Sequence, residues 1–111
     1  MEIKINCQHL TLNADQEAAF RRKIEHLARL TSRLQDESSE WRLDLKFRAT
    51  RRPEDTYECH LTCFVPQETL RAEAEGASLE NALDEVVDKM KTQIERYKDK
   101  VHHLHERGQK A

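Results

Sequence analysis

The sequence predicts an α+β fold: a four-stranded sheet with two helices on one face, in the order β-α-β-β-β-α. Three observations carry this. Four stretches alternate apolar and polar residues with the period of two that a half-buried strand requires. Two others repeat apolar residues at steps of three and four, one stripe of an amphipathic helix. Three of the strand stretches are consecutive and separated only by turn-forming residues, so they make an antiparallel meander whose single apolar face both helices must cover. The other face is left to solvent, which suits its Arg, Asp, Lys and Glu positions.

Glu2 to Cys7 (EIKINC) alternates strictly, with Ile3, Ile5 and Cys7 on the inward face. Residues 8–13 connect to a helix from about Ala14 to Leu34, whose stripe is Phe20, Ile24, Leu27, Leu30/Thr31 and Leu34. Asn13 is its predicted cap, and Gln16 three residues on completes a capping box. After the polar loop 35–39 (QDESS), Glu40 to Thr50 alternates with Trp41, Leu43, Leu45, Phe47 and Ala49 inward. Arg51 to Asp55 (RRPED) reads as a hairpin turn, and Thr56 to Val65 repeats the alternation with Tyr57, Cys59, Leu61, Cys63 and Val65. Pro66-Gln67-Glu68 turns into a short strand, Thr69 to Glu75, with Leu70, Ala72 and Ala74 inward.

The last element organises the chain. From Ser78 to about Arg107 the apolar stripe runs Leu79, Leu83, Val86/Val87, Met90, Ile94, Tyr97, Val101 and Leu104. The Ser78 hydroxyl can cap it, Gly76 lets the chain turn in, and Gly108 is the predicted stop. At about 1.5 Å per residue it spans about 45 Å, longer than the strands, so residues 101–111 should overhang the sheet as a last helical stretch and tail. Its charges are sorted. Ser78 to Asp88 holds four acidic residues and no basic ones; Lys89 to Ala111 holds seven Lys/Arg against Glu95, Asp99 and Glu106, with three His. Helix-dipole complementarity accounts for only part of that basic excess.

Composition bounds the function. At 111 residues the chain makes one domain, 1–111, with one modest core. Charged residues make up 36%, against about 25% in an average domain. The net charge of −2 excludes a globally basic chain, so any polyanion partner must meet a local patch. No long apolar run or signal-peptide pattern is present, which predicts a soluble, cytoplasmic protein with no membrane partner. Three cysteines without framework spacing fit reduced thiols.

The chemistry-bearing candidates are then few. On the second helix Lys89, Gln93, Arg96, Lys100, His103 and Arg107 step by four and three, with Lys91, Lys98, His102 and His105 on the other flank and Asp88, Glu95, Asp99 and Glu106 outermost. The first helix adds Arg21, Arg22, Lys23, His26, Arg29 and Arg33. Brought together on one side of a sheet, these sets could hold a phosphate backbone; they could equally be solvated helical faces stitched by local ion pairs. Cys59-His60-Leu61-Thr62-Cys63 is not a metal site on a strand, because the cysteines point inward and His60 outward; buried structural thiols are expected. His102, His103 and His105 read as solvent-exposed rather than metal-binding. There is no nucleophile elbow or Gly-rich phosphate loop, and Cys7 alternates inward. The expectation is a non-enzyme with no cofactor and no metal.

One resemblance covers nearly the whole chain. Leu70-Arg71-Ala72-Glu73-Ala74-Glu75-Gly76, then Asn81-Ala82 through Val87-Asp88-Lys89-Met90, then Gln93-Ile94-x-Arg96-Tyr97-Lys98-Asp99-Lys100, is similar to the signature of the ribosome hibernation-promoting factor and ribosome-associated inhibitor A family, the sigma-54 modulation proteins. Ile3-x-Ile5, His9 and Lys23 to Leu27 fit its opening strand and first helix. The resemblance implies a short form with a double-stranded-RNA-binding-domain-like fold. It implies binding to the small ribosomal subunit at the mRNA/tRNA channel, against ribosomal RNA, and inhibition of translation in stress or stationary phase. By matching position the implied RNA-binding residues are Lys23, Lys89, Arg96, Lys98 and Lys100; Arg22, His26, Arg29 and Lys91 join them on surface geometry. Off the ribosome a monomer is expected. The chain departs from the pattern in its net acidity, in Arg21 and Arg22, and in Leu30-Thr31 in place of an aromatic residue. Two other readings stand beside this one: a protein-interaction regulator of the sigma-factor modulation type, and a module for free duplex RNA. A pH response of the histidine-rich end, charged below about pH 6.5, is a further expectation.

Overall fold

The computed structural model describes residues 2–29, 40–48, 56–65 and 68–110, the last ten as backbone only. Its elements follow the predicted order: β1 (Glu2–Gln8), α1 (Ala14–Arg29), β2 (Glu40–Phe47), β3 (Tyr57–Val65), β4 (Glu68–Gly76) and α2 (Leu79–Lys110). The expected extension of α1 to Leu34, the 35–39 loop, the 51–55 turn and the Pro66-Gln67 turn lie outside the described residues.

The sheet is mixed, with strand order β1-β2-β3-β4. β2, β3 and β4 form the antiparallel meander, and β1 pairs parallel to β2 along Glu2–Gln8 against Glu40–Lys46. A parallel neighbour needs a crossover connection, and α1 supplies it. One face buries Trp41, Leu43 and Leu45 of β2, Cys59, Leu61, Cys63 and Val65 of β3, and Leu70, Ala72 and Ala74 of β4. Against them pack Phe20, Ile24, Leu27 and Ala28 of α1, and Leu79, Ala82, Leu83, Val86, Met90 and Ile94 of α2. α2 lies across β4 and β3, where the small Ala72 and Ala74 let the helix axis come close.

The caps form as predicted. The Gln16 amide donates to Asn13 Oδ1 at 2.7 Å while the Asn13 amide donates back to Gln16 Oε1 at 3.1 Å, a complete capping box. The Asn81 amide donates to Ser78 Oγ at 3.1 Å. Gly76 serves close approach rather than an unusual turn: no glycine has positive φ, and a Cβ there would lie 3.1 Å from the Ala82 amide nitrogen.

Three expectations are corrected. Cys7 keeps the inward phase of β1 but is exposed, at the C-terminal end of an edge strand. Phe47 is 36% exposed at the end of β2, where it meets the Tyr57 ring edge-on at 5.4 Å instead of entering the core. Gly108 does not stop α2, which runs to Lys110; one glycine costs a helix only about 1 kcal/mol.

Candidate nucleic-acid interface

α2 runs back along β4. Lys89 Nζ donates to the Glu73 carbonyl at 2.9 Å, and Lys100 Nζ lies 3.9 Å from Glu68 Oε2, at the first residue of the strand. Eleven helical steps and five strand steps both cover about 16 Å, so the two elements stay in register. The backbone of α2 stays helical through Lys110.

These contacts orient the basic residues of α2. At about 100° per residue, Lys91 and Lys98 lie about 160° round the axis from Lys89 and Arg96. Lys89, Arg96 and Lys100 occupy the flank above the outer edge of β4. The opposite flank faces α1, because Asp84, nearly in line with Lys91, makes an ion pair with Lys23 of α1. Asp88, Glu95 and Asp99 form the outermost ridge between the flanks, as the spacing predicts, and all three are exposed.

The predicted surface thus divides. Lys23, His26, Lys91 and Lys98 border the groove between α1 and α2, and Arg22 and Arg29 stand on the outer line of α1. Lys89, Arg96 and Lys100 form a separate strip across the acidic ridge. The sequence expectation of one merged basic surface is therefore replaced by two.

The nine residues also divide by occupation. Lys23 is held by Asp84; Lys89 is held by the Glu73 carbonyl and by Glu85 at 3.5 Å; Lys100 is near Glu68. Arg22, His26, Arg29, Lys91, Arg96 and Lys98 have no ion pair among the described residues and, all exposed, are available to an outside anion. Arg21, by contrast, is spent on structure. It pairs with Glu17 at 3.1 Å and donates to the Ile3 carbonyl at 2.8 Å, closing an unpaired acceptor on the edge strand β1.

The thiols offer no nucleophile. Burial pushes Cys59 and Cys63 up to about 12. Cys7, although exposed, is raised by partial desolvation and then by the Glu17 carboxylate, the reverse of what an activated thiol needs. No group of three or more His, Cys, Asp or Glu among the described residues could hold a metal ion. No helix is long and apolar enough to cross a membrane among those residues.

Sequence reasoning missed the bare side of the sheet, reading its alternating charges as solvation. It carries Arg42, whose guanidinium lies over the Phe64 ring at 5.8 Å, and Arg71 two strands away. The signal that could have found it was cross-strand register, which single-strand alternation does not contain.

Comparison with known proteins gives a consistent result. The family described as "Sigma 54 modulation protein / S30EA ribosomal protein" matches residues 3–102. Among solved structures, a ribosomal subunit interface protein from Coxiella burnetii superposes with TM-score 0.73 at 18% identity, covering 89% of this chain and 99% of the other. The N-terminal domain of Protein Y from Thermus thermophilus superposes with TM-score 0.68 at 22% identity, covering 87% and 99%. At these identities the likeness establishes the fold. No curated protein matches by sequence.

Proposed function

This chain belongs to the sigma 54 modulation protein / S30EA ribosomal protein family, and from that premise we propose that it is a ribosome hibernation factor. In this reading it lodges on the small ribosomal subunit at the mRNA/tRNA channel, holds ribosomal RNA by phosphate contacts, and blocks translation in stress or stationary phase by occupying the path of both RNAs. It acts as one cytoplasmic domain, monomeric off the ribosome, without catalysis or cofactor.

The observation that carries the reading is the set of exposed cations Arg22, His26, Arg29, Lys91, Arg96 and Lys98 on the helix face, none of them in an ion pair among the described residues. Each such charge can displace a condensed counterion from a phosphate backbone, which gives affinity without base readout. Lys23, Lys89 and Lys100 contribute by exchanging a protein acceptor for a phosphate, at some cost in the contacts they now make. The acidic ridge limits how flat the bound RNA can lie, so backbones are held on either flank rather than over the crest of α2.

That same ridge favours a second reading, a regulator docking on a protein through Asp88, Glu95 and Asp99. Co-sedimentation with ribosomes and separated subunits, at low and raised salt and with RNase treatment, separates the two. Salt-sensitive pelleting with small subunits and whole ribosomes is expected. Recovery in the supernatant at low salt would overturn the ribosomal reading, and RNase-resistant capture of a protein would favour the second. Tight binding to isolated duplex RNA, equal to that for ribosomes, would favour a free-RNA module.

A further inference from the structure

On the side of the sheet away from the helices, register sets the polar residues into rows across the strands. Lys4 is opposite Arg42, Arg42 opposite Thr62, and Thr62 opposite Arg71. The adjoining row is Asn6, Asp44, His60 and Glu73. Most acids of this face are already engaged. Glu40 pairs with Lys4 at 3.3 Å and Glu58 with Arg48 at 2.9 Å, Asp44 accepts from Asn6 at 3.2 Å, and Glu73 Oε1 lies 3.5 Å from His60 Nδ1.

Arg42 and Arg71 are exposed and have no carboxylate partner among the described residues. Two strand spacings, about 10 Å, separate their backbones, with the Thr62 hydroxyl between. The Arg42 guanidinium carbon lies 5.8 Å from the centre of the Phe64 ring, within cation–π range. Arg42, Thr62, Phe64 and Arg71 line one shallow groove of about 800 Å³ across the bare sheet.

We propose that this groove binds single-stranded RNA, with Arg42 and Arg71 on phosphates and a base stacked on the Arg42–Phe64 platform. A guanidinium can donate its edge to phosphate and offer its face to a base, and aromatic stacking accepts any base. An acidic peptide would use the two edges but leave the stacked platform idle, so RNA is the better match. The row spans about 14 Å, room for about two to four nucleotides. Asp44, Glu58 and Glu73 also line the groove, and their repulsion keeps a phosphate strand on the cation row. The inference rests on the ribosomal reading above. It gives a protein lodged in an RNA-lined channel a second RNA contact on the side away from its helices.

The test is fluorescence anisotropy of a labelled twelve-residue oligouridylate between low and moderate salt. It compares the full chain, R42Q/R71Q and F64L, repeated with Arg22, Arg29, Lys91 and Lys98 changed to Gln so that the helix face contributes least. Ribosome pelleting is run in parallel, with Trp41 fluorescence as the check on folding. Expected is oligouridylate binding whose log–log salt slope falls by about 1.4 in R42Q/R71Q, two phosphates at about 0.7 each. Binding should weaken about tenfold or more in F64L, the scale of one lost base stack. Equal affinity of all variants, no oligouridylate binding, or binding of polyglutamate in its place would overturn the proposal. If the protein fails to pellet with ribosomes while oligouridylate binding still depends on Arg42 and Arg71, the ribosomal reading falls and this site stands. The reverse result removes this site alone.

Discussion

If the unpaired cations hold phosphates, neutralising them should change the salt dependence of ribosome binding and leave the fold intact. Take Arg22, Arg29, Lys91 and Lys98 changed together to Gln. None has an ion pair among the described residues and all are exposed, so stability should move by less than about 0.5 kcal/mol each. Each phosphate contact contributes about 0.7 to 0.9 to the slope of log K against log salt, so the four together remove about 3. Counterion release vanishes near molar salt, and at a tenth of that each unit of slope is worth one decade. Affinity at moderate salt should therefore fall by about three decades, or about 4 kcal/mol at about 1.4 per decade. The assay is a filter-binding or pelleting titration with small subunits across a salt series, with the unfolding midpoint followed through the buried Trp41. A slope unchanged within one unit, with the fold intact, would refute the assignment of these residues to RNA.

Four further outcomes are expected. Lys89→Gln should lower affinity and also stability, by up to about 1 kcal/mol, because its ammonium donates to the Glu73 carbonyl; denaturant unfolding separates the two effects. Asn13→Ala should cost about 1 kcal/mol through loss of the capping box, read as a lower midpoint in the same experiment. Leu61→Ala, at the fully buried centre of β3, should cost about 2 to 5 kcal/mol. The thiols set a pH limit. Cys59 and Cys63 keep their protons up to about 12 when folded, against 9.0 for a free thiol. Above the free-thiol value the unfolded state holds fewer protons than the folded, so their contribution is intact below it and lost as pH rises towards about 12, by up to about 1.4 kcal/mol per pH unit for each thiol. Urea titrations should show it, and a thiol reagent should label Cys7 in the native protein while sparing the other two.

Alternation and helical stripe were enough to place all six elements, because each has one face against the same core: Trp41, Leu43 and Leu45, then Cys59, Leu61, Cys63 and Val65, then Leu70, Ala72 and Ala74 are buried in phase with the pattern. What alternation could not supply was the lateral extent of cover. Cys7 and Phe47 keep the inward phase of their strands, yet both are exposed, since phase says which face a side chain takes and nothing about whether a helix lies over it there. The candidate site suffered from the same gap in another form. Helical spacing put Lys89, Arg96 and Lys100 on one flank and Lys91 and Lys98 on the other, but which flank meets α1 depends on how α2 is rolled on the sheet. That roll shows in contacts between separate elements, Lys23 with Asp84 and Lys89 with Glu73.

The roll of α2 also bears on how an acidic chain can bind RNA. The net charge of −2 counts every acid equally, but in the folded chain the acids sit in places with different consequences. Glu17, Glu58 and Asp84 are each paired with a cation of the protein's own, and Asp88, Glu95 and Asp99 are collected on one ridge. Lys91 and Lys98 on one flank and Arg96 on the other stand clear of that ridge, so a phosphate can reach them without crossing it. Over a Debye length of about 10 Å or less it is this local arrangement, and not the sum, that sets the potential a phosphate feels. Adding one acid on a flank, Gln93→Glu beside Lys89 and Arg96, should therefore weaken binding more than adding one beside the ridge, Thr92→Glu, in the same salt series.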